Sequence, residues 1–240
     1  MKRQEKMIFN LLALFVALLI ITGCTVKSKE EMKQEKTNVS SSTKEDTATV
    51  TQREVNFLKK HESEITDLMD FAVTVGARAH HIFFLIPTGR GEEIKAMALD
   101  RLSYERVLQR IMTKAKAIPI EVKPTCAPQF IRVADEVGKK QRFSKGCLAG
   151  LSYCIISPKG EVQPCAYMKM AIGNVKERPF DEIWETNEVF QSLRTMKYSG
   201  QCGTCHYGER CGGCRARAAY YHKGDYMSAD PLCILNKEGN

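Results

Sequence analysis

The chain has 240 residues, enough for one large domain or two small ones with a real core. Its formal charge is +8, from 36 Lys and Arg against 28 Asp and Glu. No run of basic residues interleaves with aromatics, so nucleic acid is not expected as a partner; a solvated basic face or a small anionic substrate accounts for the excess.

The start of the chain is the first predicted element. Lys2, Arg3 and Lys6 precede an apolar run from Met7 to Ile21, broken only by Asn10 and ending in Ile21-Thr22-Gly23-Cys24. A basic start, a short apolar core and small residues at its boundary describe a secretory signal. The run is short for a spanning helix, which needs about 20 apolar residues. Ile-Thr-Gly-Cys resembles the lipobox of bacterial lipoproteins, which implies lipidation at Cys24 and a membrane-anchored chain; the alternative is an uncleaved anchor helix. Lys2-Arg3 is not a twin-arginine signal for export of a folded protein, so the side of the membrane stays open.

Residues 25–50 are mostly Lys, Glu, Ser and Thr. They cannot bury enough apolar surface to offset their ordering entropy and read as a disordered tether. Ile65, Leu68, Ala72 and Val75 then recur at helical spacing, up to a stop at Gly76. His80 to Ile86 is a short apolar run that predicts a buried strand ending at Pro87, before the turn Pro87-Thr88-Gly89-Arg90-Gly91. A helix is predicted from Ser103 to Lys116 and a second strand from Ile118 to Val122, ended by Lys123-Pro124. Helix, strand, helix, strand is the rhythm of an α/β unit with parallel strands, although two strands are too few for a closed barrel.

Beyond Val137 the texture changes. Leu151 to Ser157 and Glu161 to Gln163, joined by Pro158-Lys159-Gly160, predict a β-hairpin that brings Cys147 and Cys165 together. Asp181 to Met196 predicts one helix, capped by Asp181, with Ile183, Trp184, Phe190 and Leu193 facing a core.

Eight of the ten cysteines lie in the last hundred residues. Their spacing is Cys147-x12-Gly160-x4-Cys165, then Cys202-x2-Cys205-x5-Cys211-x2-Cys214, then Cys233, with Cys154 inside the first block. Thiolates spaced in this way hold zinc or iron–sulfur clusters. One zinc site on Cys202, Cys205, Cys211 and Cys214 leaves Cys147, Cys165 and Cys233 unexplained; two four-ligand sites use the set better. Disulfides are least attractive, because lipidation of Cys24 leaves nine cysteines, an odd number.

This pattern resembles the SPASM domain, which extends many radical S-adenosylmethionine enzymes and holds auxiliary 4Fe-4S clusters. Gly146-Cys147-Leu148-Ala149-Gly150, Val162-Gln163-Pro164-Cys165, Asp181-Glu182-Ile183-Trp184, Cys211-Gly212-Gly213-Cys214-Arg215-Ala216-Arg217 and Asp230-Pro231-Leu232-Cys233 carry the resemblance. Upstream, residues 87–91 and Lys123-Pro124-Thr125-Cys126-Ala127-Pro128 resemble later strands of the radical enzyme's barrel. The nearest subgroup is the enzymes of alternative-haem and d-type-haem synthesis, which act on porphyrin propionates.

The resemblance implies a partial radical-SAM-type (β/α) barrel over residues 51–140 and a small cysteine-rich α+β SPASM domain over 141–240, after a lipoprotein-like signal at 1–24 and the linker at 25–50. It implies two 4Fe-4S clusters, one on Cys202, Cys205, Cys211 and Cys233. The other would sit on Cys147, Cys165 and Cys214, with Cys154 as fourth ligand. The last pair of the pattern is usually spaced by three residues and here by two. Arg90 and Cys126 are candidate substrate contacts, Arg90 because arginine suits bidentate carboxylate recognition and Cys126 because it lies at a strand end. The Cys-x3-Cys-x2-Cys loop that initiates radical chemistry does not occur in this chain. The expectation is therefore an iron–sulfur protein that does not cleave S-adenosylmethionine alone. It acts in electron transfer or as an auxiliary component, or beside a partner chain that supplies the radical core for a porphyrin substrate.

Overall fold

In the computed structural model residue 61 and residues 64–236 are described; the expected signal, lipidation of Cys24 and tether fall outside them. Among the described residues no helix is long and apolar enough to cross a membrane. The architecture is mixed α/β, with two small sheets and many short helices.

The first part is built on one crossover. Helix α1 covers residues 64–74 and strand β1 covers Ala79–Phe83. A 3-10 segment, Gly89–Met97, leads into α2, Arg101–Ala117, and then β2, Glu121–Thr125. β1 and β2 pair in parallel, Ala79 opposite Glu121 through Phe83 opposite Thr125. A parallel pair needs a crossover of this kind because its strands run the same way. Helix α2 starts at Arg101 rather than Ser103 because Asp100 caps it, accepting the amides of Leu102 and Ser103 at 2.9 Å each.

Both predicted strands shift, β1 starting at Ala79 instead of His80 and β2 at Glu121 instead of Ile118. β1 stops at Phe83, although the Phe84 amide still reaches the Thr125 carbonyl at 3.0 Å. β2 runs through Lys123-Pro124 instead of ending there. Pro124 is tolerated because β2 is an edge strand, where a missing N–H need not cost a ladder bond.

Helix α3, Phe130–Glu136, packs beside α2, and together they bury Tyr104, Leu108, Ile111, Met112, Phe130 and Ile131 completely. The α1 face differs from the sequence expectation. Met69 is its buried contact, while Leu68, Phe71 and Val75 form an exposed stripe.

The second part begins with the predicted hairpin. β3, Ile155–Ile156, pairs antiparallel with β4, Glu161–Gln163, which pairs with a further strand, β5, Gly173–Asn174. The single helix expected over 181–196 is two, α4, Phe180–Thr186, and α5, Glu188–Thr195. The break is at Asn187, extended at φ −68° and ψ 129°, whose side chain accepts the Val189 amide and caps α5. Pro179, not Asp181, precedes the first turn. Ile183, Phe190 and Val162 close a small core under this sheet. Three short helices follow among the described residues: α6, Gly200–Thr204; α7, Gly208–Cys211; and α8, Arg215–Tyr221.

Candidate metal centre

All nine described cysteines are free thiols. Cys202 sits in α6, Cys205 follows it in extended conformation, and Cys211 closes α7. These three and Cys233 line one cavity. Between Cys211 and Cys214 the chain reverses through two left-handed glycines, Gly212 at φ 69° and Gly213 at φ 58°. A β-carbon at Gly213 would stand 3.3 Å from Cys202 Sγ and 2.6 Å from Arg215 Nη2. Only glycine leaves room for that sulfur and that guanidinium to approach.

The reversal sends Cys214 the other way. It joins Cys147, Cys165 and Cys126 on the wall of a second cavity of about 340 Å³. Cys126 follows the end of β2 with φ 62°, a left-handed backbone that a non-glycine residue adopts at a cost of about 1–3 kcal/mol. Arg217 Nη1 donates to its carbonyl at 3.1 Å and helps hold it there.

Electrostatics divides the thiols in the same way. Burial raises Cys126 to about 12, with Cys165 and Cys147 adding to the shift and Arg217 opposing it. Burial also pushes Cys214 far up, and Cys147 and Cys126 add to it. In the other set, burial raises Cys211, reinforced by Cys233 and Cys202, and raises Cys233 to about 11, reinforced by Cys202. Within the second set Cys126, Cys147, Cys165 and Cys214 thus repel one another as thiolates, and within the first Cys202, Cys211 and Cys233 do. A positively charged metal core bound among them would reverse that penalty.

Backbone amides already face several of these sulfurs. The Tyr207 amide donates to Cys205 Sγ at 3.4 Å. The amides of Tyr167, Met168 and Ala166 favour the Cys165 thiolate, that of Gly213 favours Cys211, and that of Leu235 favours Cys233. A donor set of thiols with amides on the sulfurs fits iron–sulfur clusters, whose properties depend on such hydrogen bonds. Among the described residues no three of His, Cys, Asp and Glu converge on a single ion.

The other predicted site residues fall elsewhere. Cys154 packs against the core of Val162, Ile183 and Phe190 and does not line the second cavity. Arg90 is exposed in the 3-10 segment, and the cation on the cavity wall is Lys123.

A buried polar network between the two sets has no separate signal in the sequence. Asp230 is fully buried and accepts from Arg217 Nη2 at 2.7 Å, Arg217 Nε at 2.8 Å, Gln129 Nε2 at 2.8 Å and the Cys214 amide at 2.7 Å. Tyr104 donates to Gln129 at 2.6 Å and lies 3.3 Å from Arg217 Nη2. The network ties α2 and α3 to α8, and so joins the α/β part to the cysteine-rich part.

Residues 147–214 match the family model of SPASM, an iron-sulfur cluster-binding domain. The chain is 41% identical over 189 residues to an AdoMet-dependent heme synthase of Methanosarcina barkeri, an overlap of 73% of this chain and 53% of that protein. It is 39% identical over 180 residues to the AdoMet-dependent heme synthase of Nitratidesulfovibrio vulgaris, covering 70% and 49%. Against the Pre-heme d1 synthase of Dinoroseobacter shibae the identity is 23% over 200 residues, covering 74% and 50%. The chain spans about half the length of the curated relatives it matches. Over residues 147–214 the chain carries a SPASM domain, an iron–sulfur cluster-binding domain, on a mixed α/β fold.

Proposed function

We propose that the protein holds two 4Fe-4S clusters and serves as an electron-transfer or auxiliary component. Cys202, Cys205, Cys211 and Cys233 would hold the first cluster; Cys147, Cys165, Cys214 and Cys126 would hold the second. The observation that carries this reading is the division of eight thiols into two groups of four on the walls of two cavities. Bound clusters would supply one-electron chemistry, with potentials set by burial and by hydrogen bonds to sulfur. The test is iron, sulfide and zinc analysis of anaerobically purified protein. About eight irons per chain are expected, at four per cubane. Zinc without iron would overturn the proposal.

A second reading is favoured by the open face of the α/β part. Beyond β2, β1 has no strand neighbour among the described residues, and Leu68, Phe71 and Val75 leave an apolar stripe on α1. Together with the names of the relatives, this supports a component of a radical S-adenosylmethionine enzyme acting on a porphyrin, with the parallel pair as the closing part of a barrel. A partner chain bearing Cys-x3-Cys-x2-Cys would then seat against this face. Lys123, on the wall of the second cavity, and Arg90, exposed and outside that wall, are the candidate contacts for porphyrin carboxylates. Copurification with such a chain, lost on Phe71→Glu, is the expected result. The protein alone, reduced with dithionite in the presence of S-adenosylmethionine, is expected to release no 5′-deoxyadenosine.

A further inference from the structure

Two arginines leave the start of α8, and they meet different surroundings. Arg217 has a carboxylate partner in Asp230. Arg215 is 1% exposed, and among the described residues no carboxylate stands within ion-pair distance of it. Its Nη1 donates to the carbonyls of Tyr226 and Ser228 at 2.8 Å each, and its Cζ lies 4.3 Å from the centre of the Tyr198 ring. Tyr198 supplies no anion, because burial raises its hydroxyl to about 12 even against the pull of Arg215. Its Nε donates to the Gly213 carbonyl at 3.5 Å, and Nη2 points at Cys202 Sγ at 3.7 Å across the gap that Gly213 leaves open.

A buried guanidinium without a counter-charge is costly. Neutral carbonyls orient this one but do not neutralise it. The missing negative charge is what four thiolates around a cluster provide. We propose that Arg215 is the built-in counter-ion of the first cysteine set, a positioning residue that donates to Cys202 Sγ and raises the reduction potential of the group held there. The inference rests on the two-cluster reading and adds to it an assignment of which cluster is reduced first. A cation beside the cluster favours the reduced state, which carries one more negative charge. Arg217, which faces the second set, is paired with Asp230, and that carboxylate offsets part of its pull on Cys214.

The test compares wild-type, Arg215→Gln and Arg215→Lys full-length proteins by iron analysis and EPR-monitored redox titration. In Arg215→Gln one of the two potentials is expected to fall by at least a tenfold change in the reduced-to-oxidised ratio, about 59 mV for a one-electron couple. The other potential stays in place, and Arg215→Lys, which keeps the charge, remains within about threefold on the same scale. Loss of the first cluster in the Gln variant but not in the Lys variant also supports the proposal. Loss in both variants, movement of both potentials, or movement of neither overturns it. If Arg215→Gln does not accumulate, pulsed EPR of reduced wild-type protein carrying 15N-arginine should show a nitrogen coupling that Arg215→Lys removes; no such coupling overturns the role. Wild-type protein without iron would overturn the cluster reading itself, and this inference with it.

Discussion

The carboxylate of Asp230 accepts the backbone N–H of Cys214 at 2.7 Å, and both residues are buried. Asp230 lies three residues before Cys233, a member of the first thiol set, while Cys214 belongs to the second. One carboxylate therefore fixes the spacing between the two sets. Arg217 and Gln129 occupy its other lone pairs, so the residue that holds the sulfurs apart also docks α3 and α8.

Asp230→Asn should destabilise the protein by about 3–5 kcal/mol, because it leaves the guanidinium of Arg217 buried without its anion. Urea denaturation followed by circular dichroism measures this. A loss below about 1 kcal/mol would mean that the pair adds little beyond its hydrogen bonds.

The same carboxyl sets an acid limit. Burial alone would raise it, but Arg217 and the donors of Cys214 and Gln129 hold it at about 2, below its ordinary 3.8. A carboxyl depressed on folding contributes stability that is complete above its unfolded value and is lost as pH falls through the folded one. Stability should thus decline between about pH 4 and pH 2. Asp225 is also held low, first by the Ser228 hydroxyl, and Asp100 by its Ser103 and Leu102 contacts against the effect of burial; both titrate in the same direction. In Asp230→Asn the decline should be shallower, as thermal melts across that window would show.

Asp100→Ala removes the cap of α2 and should cost about 1 kcal/mol. Asp100 also accepts from the Ser103 hydroxyl at 2.7 Å, which argues for the upper half of the usual range. A lowered melting temperature with unchanged iron content is the expected pair of results.

Much of this was legible in the chain because local rules decided it. The crossover helix and the hairpin follow from apolar spacing and from the Pro158-Lys159-Gly160 turn. Cysteine spacing alone pointed to an iron–sulfur-binding domain, which the family match over residues 147–214 bears out. Long-range packing decided the remainder. Pro124 reads as a strand end, yet it costs β2 nothing at a sheet edge. Asn187 reads as a helix interior, yet its side chain offers the backbone a cap and splits the helix. The α1 periodicity pointed Leu68 and Val75 inward, whereas Met69 takes the core position. Asp230, Gln129 and Tyr104 are far apart in sequence, and no motif joins them; only the fold does.

The fourth position of the second set is where spacing and structure suggest different residues. Cys154 lies between Cys147 and Cys165 in sequence, which made it the natural choice. The hairpin, however, carries it towards Val162, Ile183 and Phe190, and neither Cys147 nor Cys165 perturbs its thiol; burial alone raises it. Cys126 comes from the end of β2, and Cys165, Cys147 and Cys214 share its cavity wall. Its backbone there is left-handed, at φ 62°, a conformation that costs a non-glycine residue free energy. Cys126→Ser should lower the iron content from about eight to about four per chain, whereas Cys154→Ser should leave about eight. Iron and acid-labile sulfide assays on anaerobically purified variants make the measurement. The reverse result, with iron lost in Cys154→Ser and kept in Cys126→Ser, would require the hairpin to turn its cysteine towards the cluster once iron is bound.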